Sequence, residues 1–264
     1  MAPPPAPPDR AHPTAGHLAG AIARGAIRTE FQPKVALATN TLIGMEALAR
    51  WTDEELGPVP PDRFIPLAEA HGLIAPLTLL VLRQSLAAIA CLRRQHPAAT
   101  VAVNISPVLL DDPALPATIA AELQAAGLPP GVLIAEITEG HPFAEPDRAA
   151  SVLTDLRRLG IGCAMDDFGT GYATLPALLR MPFTELKIDR SFVARIAELP
   201  EAAKLVRATI RLGQALGLSV VAEGVETAEV EQILREAGCE AGQGYRYGKP
   251  MPVKALMESW PAKG

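Results

Sequence analysis

Organised cysteine and histidine are missing from this chain. Its three cysteines, Cys91, Cys163 and Cys239, lie far apart and form no CxxC pair, which argues against a disulfide framework and a thiolate zinc site. They read as small buried apolar residues. The five histidines, His12, His17, His71, His96 and His141, show no HExxH or comparable spacing, so a histidine-based metal site is not expected and all five read as solvated helix ends and loops. An excess of basic residues is missing too. The formal charge of −5 argues against a nucleic-acid polymer as partner, because polymer binding leans on a cationic surface that releases counterions. A small, highly charged ligand stays open if a metal supplies the positive charge.

Long apolar runs are also lacking. The longest, Leu73 to Leu82, is interrupted by Pro76 and is far too short to span a bilayer. The opening MAPPPAPPDRAHPTAG has no continuous apolar stretch of the signal-peptide kind and is too proline-rich for a helix. Residues 1–16 therefore read as a leader or linker and residues 17–264 as one domain, expected to be soluble and cytoplasmic. Aromatics contribute only 4% against 49% hydrophobic residues, so the core must be filled by Ala, Leu, Val and Ile. A chain of 264 residues buries about 70–75% of its unfolded surface and fits a single α/β barrel without a second domain.

What is present is alternation. A helix-compatible stretch from His17 to Arg28 precedes two strand-like runs, 31–37 and 42–51, separated by the polar turn ATNT, a connection short enough for an antiparallel pair. Thereafter helices expected over 76–95, 113–126, 145–159, 201–216 and 227–237 are interleaved with the runs TVAVNIS (100–106), VLIAEIT (132–138), IGCAMDD (161–167), TELKID (184–189), SVVAEGVE (219–226) and CEAGQGY (239–245). Several runs are short, almost wholly apolar and end in a polar residue, as strands buried on both faces do. The polar ends are Glu46, Asn104, Glu136, Asp166 with Asp167, Lys187, Glu223 and Gln243. In a parallel barrel the C-terminal rim gathers such residues at one mouth. An open doubly wound sheet would instead concentrate them at one switch point, so the barrel is the expected fold.

Carboxylates crowded into one cavity stay ionised only if cations neutralise them. Oxygen ligands without Cys or His select Mg²⁺ or Mn²⁺, with Ca²⁺ a weaker alternative. Asp166 and Asp167 are adjacent, so one can bridge two ions while the other serves one, and two ions roughly 3.5–4 Å apart stabilise both the attacking and the leaving oxygen of a phosphoryl displacement. Lys187, on the next strand, reads as a hydrogen-bond donor to a metal-held water and as a charge that neutralises part of the site. Taken singly, each residue has an ordinary reading: Glu46 or Glu136 as a rim residue paired with Arg, Asn104 as a turn cap before Pro107, Lys187 as a solvated strand-end cation. The array is harder to dismiss, because an unpaired buried ion costs several kcal/mol.

The segments EALARW (46–51), NIS (104–106), EITE (136–139), DDFGTGY (166–172), LKIDRSFV (186–193), AEGVE (222–226) and QGYRYGKPMP (243–252) resemble, in order and spacing, the signature of the EAL-domain cyclic di-GMP phosphodiesterase family. The match runs from about Phe31 to Val253, and FQPKV is similar to the family's substrate-facing strand. The resemblance implies a TIM-like (β/α)8 barrel whose second strand runs antiparallel to the first. It also implies two Mg²⁺ or Mn²⁺ ions, and hydrolysis of cyclic di-GMP to linear pGpG in bacterial second-messenger signalling. By resemblance, Glu46, Asn104, Glu136 and Asp166 hold one ion and Asp166, Asp167 and Glu223 the other. Lys187 orients or activates the water, with Glu223 the other candidate for proton handling and Asp167 grouped with both. Gln243 holds a water or metal-bound group, and Gln32 and Arg50 contact the substrate. DDFGTGY matches the family's mobile loop, with Glu139 as its anchor and Thr170 as a partner of that anchor. Ala173 and Thr174 stand where the family often has a Ser pair. The segment TDEELGPVPPDRF after Trp51 is shorter than usual and reads as a surface loop. Ca²⁺ is expected to bind without supporting turnover, because its looser shell does not hold in-line geometry. A homodimer paired near the mobile loop, and a fused or associated regulatory domain, are expected as well.

Two other functions compete. A catalytically inactive EAL domain can serve as a cyclic di-GMP receptor, but such domains usually lose a ligand and none is lost here. An enolase-like or glycosidase barrel with Lys187 as base leaves Asn104 and Gln243 without a role.

Overall fold

The computed structural model describes residues 12–138, 145–170 and 175–261. It opens with α1 (Ala15–Arg24), capped by the Thr14 hydroxyl, which accepts from the His17 N–H, and ended by Gly25 in the left-handed region (φ 66). The helix stops short of the expected Arg28, because Ile27 and Arg28 already belong to β1 (Ile27–Ala36). Asn40, at φ 50, turns the chain into β2 (Thr41–Asp53), a left-handed conformation that asparagine adopts at small cost. The two strands pair antiparallel, with Gln32 opposite Glu46 and Arg28 opposite Arg50.

β2 runs past Trp51 and folds back as β3 (Gly57–Val59) before α2 (Pro61–Ala70). The segment expected as a surface loop is thus a hairpin followed by a helix. The Asp53 carboxylate shapes its turn by accepting the N–H groups of Glu55 and Leu56 at 3.0 and 3.2 Å, the local bonding that makes Asp a turn residue. α3 (Ile74–Leu92) contains Pro76 in its first turn, where a missing N–H costs no helical bond. The proline therefore starts the helix and does not break the apolar run. Among the described residues α3 alone is long and apolar enough to cross a membrane, and half of it is buried inside the protein.

The remaining strands are β4 (Thr100–Asn104), β5 (Leu133–Thr138), β6 (Gly162–Phe168), β7 (Glu185–Ile188), β8 (Ser219–Ala222) and β9 (Ala241–Gln243). Interleaved with them are α4 (Leu115–Ala125), α5 (Pro146–Arg158), α6 (Leu175–Arg180), α7 (Arg190–Val193), α8 (Pro200–Ala215), α9 (Ala228–Glu236) and, after β9, α10 (Val253–Ser259). The sheet closes in the order β2-β4-β5-β6-β7-β8-β9-β1 and back to β2, with β3 an extra strand on β2. β1 runs antiparallel to both of its neighbours, whereas every other barrel pair is parallel. This is the TIM-like barrel with one antiparallel strand near the N-terminus that the sequence predicts.

The core is aliphatic, as the composition requires, with one edge-to-face aromatic pair among the described residues, Trp51 and Phe64, at 5.9 Å between ring centroids. Cys163 and Cys239 are buried free thiols, while Cys91 is only partly buried, against expectation. The barrel interior also contains a polar pair that the sequence reading did not single out. Lys34 of β1 donates to both oxygens of Glu185 of β7, at 2.8 and 2.9 Å, with both side chains buried.

Candidate functional site

Strand residues two apart share a face. Glu185 and Lys187 therefore both point into the barrel from β7, as Lys34 and Gln32 do from β1, and Lys187 stands one step nearer the mouth than the Lys34–Glu185 pair. Its side chain is 0% exposed, and its ammonium lies 2.7 Å from Glu223 Oε1, 3.0 Å from Asp166 Oδ1, 3.1 Å from Glu136 Oε1 and 3.3 Å from Glu46 Oε2. Lys187 is not a solvated strand-end cation. It is the protein's own counter-ion to four carboxylates, a share in neutralising the site that the sequence reading allowed it beside the metals.

Amides fix the Glu46 carboxylate from above. Asn104 Nδ2 donates to Oε1 at 3.1 Å, and Gln243 Nε2 donates both to Glu46 Oε2 and to Gln32 Oε1, the latter at 3.0 Å; Gln32 in turn donates to the Gly248 carbonyl at 3.2 Å. Glu46 reaches this network from the middle of β2, not from its end, because the strand continues into the hairpin.

The two aspartates reach the same side of β6 through a register break. Met165 pairs with Leu186 and Phe168 with Ile188, so β6 carries one residue more than β7 across this interval. Asp167 takes φ 56 within it, and its N–H donates to Asp166 Oδ1 at 2.9 Å. A bulge of this kind re-aims a side chain that regular alternation would send to the other face. The carbonyl of Asp167 accepts both the N–H (3.2 Å) and the hydroxyl (2.9 Å) of Thr170. Thr170 therefore closes the turn beyond the bulge. Glu139, its expected partner, lies outside the described residues, as do His141 and residues 171–174.

The carboxylates form two triples, Glu46 with Glu136 and Asp166, and Asp166 with Asp167 and Glu223, each offering oxygens within 4.8 Å of one another and sharing Asp166. Glu136 Oε1 meets the Lys187 ammonium at 3.1 Å, whereas its Oε2 is buried with no hydrogen-bond partner among the described residues, a costly state unless a cation completes it. The donor set is all oxygen, which suits hard divalent ions. The residues present fit such ions.

Burial opposes ionisation throughout the cluster. It pushes Glu136 well above the usual carboxylate range, with Glu46 and Asp166 adding repulsion, and it raises Asp166 and takes Glu223 to about 8. Asp167 is raised to about 6 by burial and by Asp166 and Asp189. Glu46 is the exception: burial works against it, yet Lys187 and the Gln243 and Asn104 amides hold its pKa below the ordinary value. Burial also disfavours the Lys187 cation, but the surrounding carboxylates outweigh it and the group stays charged.

A pH dependence follows. Folded-state values raised to about 8 for Glu223 and about 6 for Asp167 mean that metal-free folding is favoured at low pH by these groups, and that this contribution is lost as pH rises through 6 and then 8. Divalent ions bind the deprotonated form. Apparent Mn²⁺ affinity is therefore expected to rise between pH 6 and pH 8, and binding at pH 7 to release protons. Calorimetry in buffers of different ionisation enthalpy measures this. An affinity flat across that range, with no proton release, would contradict the raised values.

A cavity of about 330 Å³ opens over the cluster, lined by Gln32, Arg50, Asp167, Arg190, Glu223 and Tyr245 among others. Arg50 is preset by Glu30, which accepts from its Nε at 2.9 Å, and by the Ala49 carbonyl. Beside it, sharing Leu48 and Arg50, lies a second cavity of about 270 Å³ walled mainly by apolar residues such as Ile65, Pro66, Leu77 and Ile105. The structure thus brings together every described residue expected at the site. The sequence reading missed the Lys34–Glu185 pair, Arg190 and the apolar cavity. Lys34 and Glu185 were visible only as residues two places from Gln32 and Lys187.

The chain is similar to several known proteins. The chain is 37% identical over 246 residues to the cyclic di-GMP phosphodiesterase RocR of Pseudomonas aeruginosa, covering 93% of this chain and 63% of RocR. It is 42% identical over 243 residues to an uncharacterized signaling protein of Caulobacter vibrioides, covering 92% of this chain and 30% of that protein. It therefore spans less than two thirds of either relative. Among solved structures, the complex of the PaMucR phosphodiesterase with c-di-GMP superposes with a TM-score of 0.84 at 37% identity, covering 91% of this chain and 98% of that one. The EAL domain profile matches residues 15–250, and the chain belongs to the EAL domain family.

Proposed function

We propose that this protein is a metal-dependent phosphodiesterase that hydrolyses cyclic di-GMP to linear pGpG. The observation that carries the reading is the pair of carboxylate triples sharing Asp166 around a fully buried Lys187 at the mouth of a barrel. Glu46, Asn104, Glu136 and Asp166 would hold one Mg²⁺ or Mn²⁺, and Asp166, Asp167 and Glu223 the other. Bound there, such ions supply Lewis-acid stabilisation of the attacking and leaving oxygens.

The chain's own groups do the rest. Gln32 and Arg50 orient the dinucleotide, Arg50 through a fork suited to two phosphate oxygens, and the neighbouring apolar cavity receives a base. Lys187 holds the carboxylates in place and, as a donor only, would donate to the oxygen of the attacking water, leaving the water's proton to Glu223, whose proton affinity is raised by burial. The water oxygen forms a bond to phosphorus as the bond to the 3′-oxygen breaks, and that oxygen takes up a proton as the ring opens. Gln243 keeps Glu46 oriented throughout. Glu139 is assigned the loop-anchoring role on resemblance alone. Regulatory input would come from parts of a longer protein, in keeping with relatives that this chain only partly spans.

Chromatography of cyclic di-GMP incubated with the protein tests this. Conversion to pGpG is expected with Mn²⁺ or Mg²⁺, little with Ca²⁺, and none in excess chelator. Undiminished turnover in chelator would overturn the two-ion reading. Tight binding without turnover under every metal would leave a receptor in place of an enzyme.

A further inference from the structure

Among the described residues two arginines line the mouth, and one of them is committed to a carboxylate. Arg50 projects from β2 and is held by Glu30. Arg190 follows β7, which lies directly across the barrel, four strands from β2 in either direction around the closed sheet. Arg190 lines the cavity and is exposed, and no carboxylate among the described residues is in ion-pair reach of it. Its base is nevertheless fixed. Asp189 accepts the Ser191 N–H at 2.9 Å to start α7, and Gly224 leaves room for the Arg190 side chain, since a Cβ there would lie 2.6 Å from that of Arg190. The guanidinium is thus, among the described residues, an unpaired cation on a pinned stem, lining the same cavity as the acidic residues Asp167, Glu223 and Glu226.

Cyclic di-GMP carries two phosphodiesters on opposite sides of one ring. One is cut over the carboxylate triples. The other keeps its charge and must sit against the same acidic rim, where it would be repelled unless a cation meets it. Resting on the function proposed above, we infer that Arg190 binds the phosphodiester that is not cut, across the mouth from Arg50. Guanidinium is suited to this, because its fork pairs two phosphate oxygens and it cannot lose its charge.

Such a contact is present before and during the reaction alike, so its loss should raise KM and spare kcat. For Arg190→Ala with Mn²⁺, KM for cyclic di-GMP is expected to rise about 10- to 100-fold, as loss of one or two charge-assisted bonds implies, with kcat within about threefold of the parent. Arg190→Lys should fall between, keeping the charge and losing the fork. For bis(p-nitrophenyl) phosphate, which has a single phosphodiester, kcat/KM should be unchanged. An unaltered KM for cyclic di-GMP, a fall in kcat at constant KM, or equal losses on both substrates would overturn the assignment. If the parent does not cut cyclic di-GMP at all, the function proposed above fails, but calorimetric binding of cyclic di-GMP with Ca²⁺ still decides Arg190: a weakened Arg190→Ala supports the contact and an unchanged affinity refutes it. Equal melting temperatures of variant and parent exclude misfolding, with Arg190→Lys as the variant of record if Arg190→Ala does not fold.

Discussion

Lys187→Ala is expected to lower turnover of cyclic di-GMP by about a thousandfold at saturating Mn²⁺ and substrate, at the upper end of what losing one preorganised hydrogen-bond donor costs. Substrate and ions should still bind. A second effect follows from burial. In the absence of divalent ions Lys187 is the cation within 3.3 Å of Glu46, Glu136, Asp166 and Glu223, and breaking a buried ion pair from one side costs about 3–5 kcal/mol. Carboxylate protonation offsets part of that loss. The variant should therefore melt several degrees lower than the parent in chelator and recover more of its stability when Mn²⁺ is added, since the ions then supply the missing charge. Turnover within tenfold of the parent would remove Lys187 from the chemical step. Equal melting temperatures in chelator would show that the ammonium is not the internal counter-ion.

Asp166→Asn should abolish detectable turnover, a loss of at least about a thousandfold, because it is the member common to both carboxylate triples and each ion supplies several kcal/mol of transition-state stabilisation. The amide keeps the size of the side chain and one acceptor oxygen, so folding is expected to survive; removing one of several crowded carboxylates also relieves repulsion. Native mass spectrometry with Mn²⁺ should show occupancy falling from two ions towards one or none. Retention of two ions with low turnover would confine Asp166 to a role other than bridging, and retention of both ions and turnover would dissolve the shared-ligand arrangement.

The sequence disclosed the site's membership better than its electrostatics. Reading polar residues as the ends of short apolar strands picked out Asn104, Glu136, Asp166 and Lys187, although only Asn104 ends its strand, β5, β6 and β7 running on to Thr138, Phe168 and Ile188. Glu46 was grouped with them correctly but for an imperfect reason: its strand continues to Asp53 and the residue lies mid-strand. The hairpin was illegible because its turn depends on how Asp53 is used, and Asp-Glu-Glu reads equally well as open loop. Pro76 misled in the opposite direction, since a proline in the first turn and one in the middle of a helix look alike until the start is known. Lys187 was the largest surprise in energy. A lysine at a strand end is ordinarily solvated, and only the three-dimensional convergence of four carboxylates makes a fully buried ammonium stable. The Lys34–Glu185 pair was hidden for the same reason, its members being 151 positions apart in the chain.

The register break in β6 divides the site into a fixed contact and a switchable one. Glu46 and Glu136 sit on backbone paired to neighbours on both sides, and Asp166 on backbone paired to Thr138 of β5, so their half of the site is tied to the barrel itself. Asp167 faces the mouth only while the extra residue stays in its left-handed conformation and the Thr170 turn stays closed. Relaxing that single kink would turn Asp167 away and break the second half of the circuit, with the first half still wired and able to hold its ion. The barrel thus concentrates in one residue a backbone change that would alter one carboxylate triple and leave the other standing.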